Sequence, residues 1–283
     1  MTAAHLPQDP GRRRFLQAGA GLGLAAAAPA VFAGPSTSWN FEEWFPAPEN
    51  TTWRLLDGHD SGHVMPGWRR KSCDVDDRIS FERAPDSRAG FCHVVHKRDI
   101  VDPVGIDSAR VPADFSTFSR VLLRYHHWIE QHSYIDGKWV GLQLGRGWVG
   151  RGHVREADEL YGSDGASATT MHPGRSGGNG IRLLATHSRQ KSPYGENVGD
   201  GREVLDKGRW LTVDVVVDKH EGHRLYVDGR MMAESYRQTP VRNWNACGVI
   251  WYRTRLMHGG TPSQLPALHD YREWLGGYFI GVA

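Results

Sequence analysis

Short runs in which apolar and polar residues alternate dominate the chain beyond residue 50. The clearest run is 211–217, where every second residue from Leu211 to Val217 is a leucine or a valine, so that one side of an extended chain is apolar. No stretch of ten or more residues beyond residue 33 has the spacing of an amphipathic helix. Comparable strand patterns occur in 91–97, 121–129, 139–144, 166–172, 181–187, 224–227, 231–236, 248–255 and 278–282.

Asp-Gly dipeptides separate many of these runs, and such dipeptides favour the tight turns of β-hairpins. Regularly spaced short strands joined by such turns are typical of an antiparallel sandwich. No internal repeat or linker divides residues 34–283. The sequence therefore predicts an all-β protein with a single domain over 34–283, an antiparallel β-sandwich of the jelly-roll type. The five dipeptides lie at 57–58, 136–137, 164–165, 200–201 and 228–229.

The first 33 residues have the pattern of an export signal. Three arginines at 12–14 precede Phe-Leu, close to the twin-arginine pattern, and an alanine-rich run follows. This run is shorter than the roughly 20 residues that span a bilayer. Small residues around Ala33 predict cleavage after it. We expect residues 1–33 to be a twin-arginine signal peptide and the mature protein to be periplasmic or secreted, with no membrane anchor.

Composition adds an expectation about the ligand. The formal net charge is only +2, which does not indicate a nucleic-acid partner. The chain nevertheless has 34 Lys and Arg, 15 His and 11 Trp, and such side chains bind carboxylates or stack on sugar rings. Arg124 and His126 share one face of the strand in 120–130, and Trp251 and Arg253 share a face of a second strand. We expect these faces to line a groove for an anionic polysaccharide.

Several other chemistries have little support. The three cysteines, Cys73, Cys92 and Cys247, form no Cys-x-x-Cys pair, and Cys73 with Cys92 is the nearer pair for a disulfide. The histidines do not follow a zinc-binding pattern, and His126 and the residue after it point to opposite faces of a strand. No Gly-x-Ser-x-Gly segment indicates a serine esterase.

Two acidic residues keep a hydrolase reading open. Glu156 and Asp158 alternate, as do the carboxylates of retaining glucanases with a jelly-roll fold. The neighbouring Glu159 points the other way, and Leu160 fills the next position on the acidic face.

The segment 136–142 reads Asp-Gly-Lys-Trp-Val-Gly-Leu, and four further short segments follow it in the chain. In their order these five segments resemble the jelly-roll polysaccharide lyases of family 14, which are alginate lyases, and the related glucuronan lyases of family 20. The segment 136–142 is similar to their Gly-Gly-Lys-Leu-Pro-Gly-Leu motif, and 165–171 is similar to their Ser-x-Arg strand. The resemblance extends over about residues 110–281. The remaining segments are 208–210, 226–230 and 258–260, where those enzymes have a strand start, a hairpin and Phe-Gly-Gly.

This resemblance implies β-elimination on a uronic-acid polymer. Lys138 matches a functional lysine of the family, and Ser167 matches its serine. Thr169 stands where the family has arginine, and the strand in 181–187 lacks the family's Tyr-x-Tyr pair. The general base is therefore not given by the resemblance.

For the missing base and the carboxylate contacts we advance a hypothesis. His187 or Tyr194 would serve as base or acid, with Arg182 and Gln143 at the carboxylate. Alternation places His187 on the face opposite Arg182, so that it reaches the groove only if it ends the strand or follows a bulge. A core or loop histidine is the alternative reading.

The sequence thus predicts a monomeric polysaccharide lyase that acts on an acidic glycan. Metal is not required for this chemistry, and a structural calcium ion would be compatible with such a sandwich. Two alternatives stay open: a non-catalytic carbohydrate-binding envelope protein, and a jelly-roll glycoside hydrolase.

Overall fold

The computed structural model describes residues 46–59, 79–82, 85, 91–96, 102–131, 137–145, 166–172, 180–186, 196–199, 205–235, 241, 243–258 and 269–283. Within these ranges the only helices are two 3-10 turns, Pro48–Asn50 and Trp244–Ala246, and neither could cross a membrane. The strands are β1 (Arg54–His59), β2 (Ile79–Glu82), β3 (Phe91–His96), β4 (Asp102–Pro112), β5 (Arg120–Ile129), β6 (Gly137–Leu144), β7 (Ser167–His172), β8 (Arg182–Thr186), β9 (Glu196–Val198), β10 (Trp210–Asp218), β11 (Gly222–Val227), β12 (Arg230–Glu234), β13 (Val249–His258) and β14 (Tyr271–Val282).

The strands form two antiparallel sheets, which we call the large sheet and the small sheet. The large sheet has eight strands in the order β12-β11-β10-β5-β14-β3-β2, with β1 also paired to β14. The small sheet has six strands in the order β4-β13-β6-β7-β8-β9. Side chains of both sheets join one buried hydrophobic cluster. The predicted jelly-roll sandwich is therefore confirmed.

Strand β10 shows how the alternating pattern builds this core. Leu211, Val213, Val215 and Val217 all belong to the buried cluster between the sheets, as their spacing predicts. The intervening Val216 lies on the outer face of the large sheet, where it joins a smaller apolar cluster with other residues of that face. Both faces of β10 are buried, so another segment of the chain must cover the outer face of the large sheet at this strand.

Part of that cover is the segment 46–53, which we call the N-terminal strap. Glu49 accepts hydrogen bonds from Arg224 Nη1 at 2.6 Å, Tyr226 Oη at 2.8 Å and Arg120 Nη1 at 3.2 Å. Trp53 packs against the small apolar cluster on the same face. Burial and the adjacent Glu49 carboxylate raise the pKa of Tyr226, which keeps its hydroxyl protonated as a donor. The strap is thus attached to β5 and β11 by charge-assisted hydrogen bonds.

Two Asp-Gly predictions have opposite outcomes. Asp228 and Gly229 form the turn between β11 and β12 with φ of 50° and 76°, which confirms the predicted hairpin. Asp57 and Gly58 instead lie inside β1, so the turn predicted there is wrong. Asp57 accepts hydrogen bonds from Gly58 N at 3.0 Å and from Tyr278 Oη at 3.0 Å, and a register shift precedes it. Pairing with β14 outweighs the local turn preference.

Other sequence features fall partly outside the described residues. Asp136, 164–165 and 200–201 are outside them, although Gly137 begins β6. Strand β4 was not predicted because Pro103, Gly105 and its polar residues break the alternation. Cys247 is buried, and its thiol lies 3.8 Å from the Asn243 carbonyl oxygen. Cys73 lies outside the described ranges, so the possible Cys73–Cys92 disulfide stays an expectation from the sequence.

The strap yields a testable prediction. Glu49→Ala removes the acceptor shared by two arginines and a tyrosine, so we expect the free energy of unfolding to fall by about 1–3 kcal/mol. Denaturant unfolding measures the change. The control is Asp206→Ala, which breaks an exposed ion pair with Arg209 and should cost less than about 1 kcal/mol. Equal losses in the two variants would contradict the proposed attachment of the strap.

Candidate functional site

The outer face of the small sheet is defined most clearly by β8 and the residue before it. Ile181, Leu183 and Ala185 are buried in the core, whereas Arg182 and Leu184 are half-buried on the opposite side. The alternation predicted for this strand is therefore what the structure shows. Residues in register with Arg182 and Leu184 on neighbouring strands share that side, because directly paired residues lie on the same face of a sheet.

Cross-strand register extends this face over four strands. Trp251 of β13 is opposite Gln143 of β6, and Gln143 is opposite Ser167 of β7. One row further along, Gly141 lies between Arg253 and Thr169, and Thr169 is opposite Leu184. We call the resulting surface the small-sheet face, and its positions are Lys138, Gly141, Gln143, Ser167, Thr169, Arg182, Leu184, Trp251 and Arg253.

Lys138 is on this face only because β6 contains a β-bulge. Between the pairs Gly141–Thr169 and Lys138–Met171, β6 advances three residues while β7 advances two. The extra residue reverses the alternation, so Lys138 and Gly141 share a face although they are three apart. Pairing with β13 agrees. Lys138 is opposite Met257, which is four residues from Arg253 and therefore on the same face of β13. Regular alternation would have put Lys138 on the core side.

The bulge also explains why two consecutive residues are buried. Trp139 and Val140 both have no exposed surface and both belong to the core cluster between the sheets, whereas regular alternation would direct only one of two consecutive residues there. Both lie opposite the single residue Thr170, which is itself fully buried. The core therefore accommodates the extra residue, and the outer face keeps its row of polar positions.

Gly141 lies at the middle of the small-sheet face, where the strands leave no room for a side chain. A Cβ at this position would lie 2.9 Å from Thr169 Oγ1 and 3.2 Å from the Ala168 carbonyl oxygen. Beside it Gln143 is only 5% exposed, and Trp251 Nε1 donates to the Gly145 carbonyl at 2.7 Å. The amide and the indole are thus held close to the sheet, next to the glycine.

Gly141→Ala tests this close packing. We expect the added methyl group to lower the free energy of unfolding by about 1–3 kcal/mol because it meets both a side chain and a backbone carbonyl. Thr169→Ala in the same chain should recover part of the loss by removing the hydroxyl, while the single Thr169→Ala variant serves as the control. Full stability of Gly141→Ala in denaturant unfolding would contradict the geometry.

The structure separates Arg124 and His126 from the small-sheet face and corrects their predicted role. Their strand, β5, belongs to the large sheet, and both residues are on its outer face, 1% and 4% exposed. Arg124 donates to both carboxylate oxygens of Asp214, at 2.6 and 2.8 Å, and to the Pro46 carbonyl of the strap at 3.2 Å. Burial raises the pKa of Asp214, and the paired guanidinium opposes that rise. The alternation in β5 was read correctly, but its cationic face binds the protein's own carboxylate.

The Arg124–Asp214 pair leads to a prediction that separates structure from ligand binding. Arg124→Met leaves a buried carboxylate without its counter-charge and should lower the free energy of unfolding by about 3–5 kcal/mol. The double variant Arg124→Met with Asp214→Leu removes both charges and should recover most of this loss. Thermal unfolding and polymer binding are measured on both. Weak polymer binding by a stable double variant would restore Arg124 to the binding surface.

The structure does not describe the proposed proton-transfer residues. His187 and Tyr194 lie outside the described residues, as do Glu156 and Asp158 of the hydrolase alternative. Strand β8 ends at Thr186, immediately before His187. Among the described residues, no group of three or more His, Cys, Asp or Glu side chains is placed to hold a metal ion.

Sequence reasoning missed part of the small-sheet face. Gly141 and Leu184 were not singled out, although the unusual glycine inside an apolar strand was a usable signal of close backbone approach. The bulge that brings Lys138 to this face has no signal in the alternation itself. Trp251 was noted for its shared face with Arg253, and the register confirms that sharing for the two positions.

The two antiparallel sheets and their shared core place the chain in a class of fold, the β-sandwich of the jelly-roll type. A search of protein-family models finds no match, and no curated protein matches by sequence. The fold is similar to that of the family 14 alginate lyase from Aplysia kurodai, with TM-score 0.60 and 16% identity over 81% of this chain and 100% of that one. A variant of alginate lyase Aly36B in complex with an alginate tetrasaccharide has TM-score 0.50 and 14% identity, covering 74% of this chain and 85% of that one. The endo-β-1,3-glucanase of Pyrococcus furiosus has TM-score 0.51 and 11% identity, covering 84% and 98%. These likenesses show the fold that was expected from the resemblance to alginate lyases, and a hydrolase shares it.

Proposed function

We propose that this protein is a polysaccharide lyase that cleaves an acidic, uronic-acid-containing glycan by β-elimination on the small-sheet face. The observation that carries the proposal is the register of β6, β7, β8 and β13. It gathers the positions of Lys138, Gln143, Ser167, Arg182 and Arg253, five residues selected from the sequence for this chemistry, on one side of one sheet.

The elimination requires three contributions. Cationic or amide groups neutralise the uronate carboxylate, which makes the neighbouring C5 proton more acidic. A base removes that proton, the C4–O bond breaks as the C4–C5 double bond forms, and an acid protonates the leaving glycosidic oxygen. Arg182 and Gln143 are assigned to the carboxylate, Lys138 to the reacting centre, and His187 or Tyr194 to proton transfer.

The register offers a reason why arginine is dispensable at 169. Thr169 is paired with Leu184, so Arg182 is its diagonal neighbour on the same face, roughly 7–8 Å away between backbones. The long guanidinium side chain of Arg182 spans such a distance. We infer that Arg182 supplies from β8 the charge that the related lyases supply from the strand corresponding to β7.

The structural neighbours support the substrate class. Aly36B variants were solved with an alginate tetrasaccharide and an alginate trisaccharide, and the tetrasaccharide complex used a variant lacking one lysine and one tyrosine. An anionic polysaccharide is accordingly the proposed partner of the present protein. Export through the twin-arginine pathway would bring it to such polymers, so we extend the proposal to a periplasmic or secreted location.

Ultraviolet absorbance tests the reaction directly. The purified protein is incubated with alginate, glucuronan and a panel of glycosaminoglycans, and we expect absorbance to rise with one of them because a conjugated C4–C5 double bond forms. New reducing ends without absorbance would identify a hydrolase and contradict the proposal. Polymer binding without either product would identify a non-catalytic carbohydrate-binding protein.

Variants then test the assigned residues. Lys138→Ala should lower kcat/KM at least about 100-fold, and Arg182→Ala should raise KM as well as lower kcat. The matched control is Arg230→Ala, since Arg230 is exposed and belongs to β12 of the large sheet. His187→Ala and Tyr194→Phe identify the proton-transfer group. Full activity of Lys138→Ala, or equal losses in Arg182→Ala and Arg230→Ala, would refute the site.

A further inference from the structure

The bulge in β6 is held from inside the core by a chain of two hydroxyl groups. Thr170 Oγ1 donates to the Val140 carbonyl at 3.0 Å, and Tyr125 Oη lies 2.6 Å from the same Oγ1. A threonine hydroxyl has a single proton, so Thr170 accepts from Tyr125 while it donates to Val140. Burial raises the pKa of Tyr125, which keeps that donor protonated. The chain therefore runs Tyr125, Thr170, Val140, from the large sheet to the small one.

A second contact reaches the other bulge residue. The ring of Trp139 lies edge-on to His127, with 4.4 Å between ring centroids, and His127 Nε2 is 2.6 Å from Glu273 Oε2. Tyr125 and His127 are alternate residues of β5, so both point into the core. Two successive core-facing residues of the large sheet thus contact the two bulge residues of the small sheet, one through Thr170 and one directly.

This arrangement has a consequence for the outer face. A bulge leaves backbone groups outside the regular ladder, and the Thr170 hydroxyl provides Val140 with a buried partner. Without the hydroxyl the Val140 carbonyl loses this buried hydrogen bond, which favours a shift of β6 against β7. A shift by one residue reverses the face of every position at that end of the strand, including Lys138.

We propose that Thr170 and Tyr125 are positioning residues: their buried hydroxyl pair fixes the bulge and thereby keeps Lys138 on the small-sheet face. The effect on catalysis rests on the proposed lyase function, whereas the effect on the placement of position 138 does not. Neither hydroxyl touches the polymer, because Thr170 and Tyr125 are fully buried on the core side of the sandwich.

The placement is tested by chemical labelling. Lys138→Cys introduces a thiol at the position in question, and mass spectrometry of the peptide that contains it measures the rate of reaction with a thiol reagent. We expect Thr170→Val to slow that rate by about tenfold or more, because a reversed register moves position 138 towards the buried core. Thr170→Ser keeps the hydroxyl and should retain the rapid rate. Tyr125→Phe should give an intermediate rate, and it serves as the test if Thr170→Val does not fold.

The matched control is Thr212→Val. Thr212 is also a fully buried strand threonine, but it lies in the large sheet, and its hydroxyl has no hydrogen-bond partner among the described residues. This variant should change neither labelling nor activity.

Activity assays without the Lys138→Cys change supply the second readout. Thr170→Val should lower kcat by about 10- to 100-fold, as expected for a displaced catalytic group, with Thr170→Ser close to the parent protein. Unchanged labelling and activity in a folded Thr170→Val protein would overturn the inference. The parent protein itself could show no lyase activity while Thr170→Val still slows the labelling of position 138. That result would uphold the positioning role of Thr170 and refute the proposed lyase function.

Discussion

In an antiparallel sheet the side of each residue is fixed by counting, so a single extra residue has effects far beyond its own position. Strand β6 contains such an extra residue at its bulge, where Trp139 and Val140 lie opposite the single residue Thr170. It lets an apolar pair enter the core together and, on the other side, brings Lys138 into line with Gly141 and Gln143. The polar composition of the small-sheet face depends on this local irregularity. The core and the face are therefore two results of one backbone feature.

The two sheets use their outer faces differently. On the large sheet, Arg124 is committed to Asp214, and the strap contributes Glu49 to Arg120 and Arg224. These three arginines are paired with carboxylates of the protein itself, which a polymer would have to displace. On the small-sheet face, Arg182 and Leu184 are half-buried on a strand whose alternate residues form the core. Basic residues in similar alternating strands thus have different roles, according to what the rest of the chain places over them.

Much of this fold could be read from local pattern. The strands β5, β8 and β10 follow alternation closely, and the Asp228-Gly229 turn has the expected backbone geometry. The face of Lys138 could not be read in this way, because the bulge depends on Thr170, which is 30 residues from Val140, and on Tyr125, which belongs to the other sheet. Nor could the burial of Arg124, since its partner Asp214 is 90 residues away. Register and covering segments are non-local, and alternation carries no information about them.

The position of β14 in the large sheet has a consequence for folding in the cell. This strand follows all the others in the sequence, yet it lies inside the sheet, paired with β5 on one side and with β1 and β3 on the other. During synthesis one edge of β5 therefore lacks its partner strand until residues 271–282 have left the ribosome. Such an edge attracts other extended chains. Closure of the large sheet is comparatively slow, since β14 and β5 join residues more than 140 positions apart in the sequence. Until β14 pairs with it, the β5 edge presents unpaired backbone groups to any other extended segment.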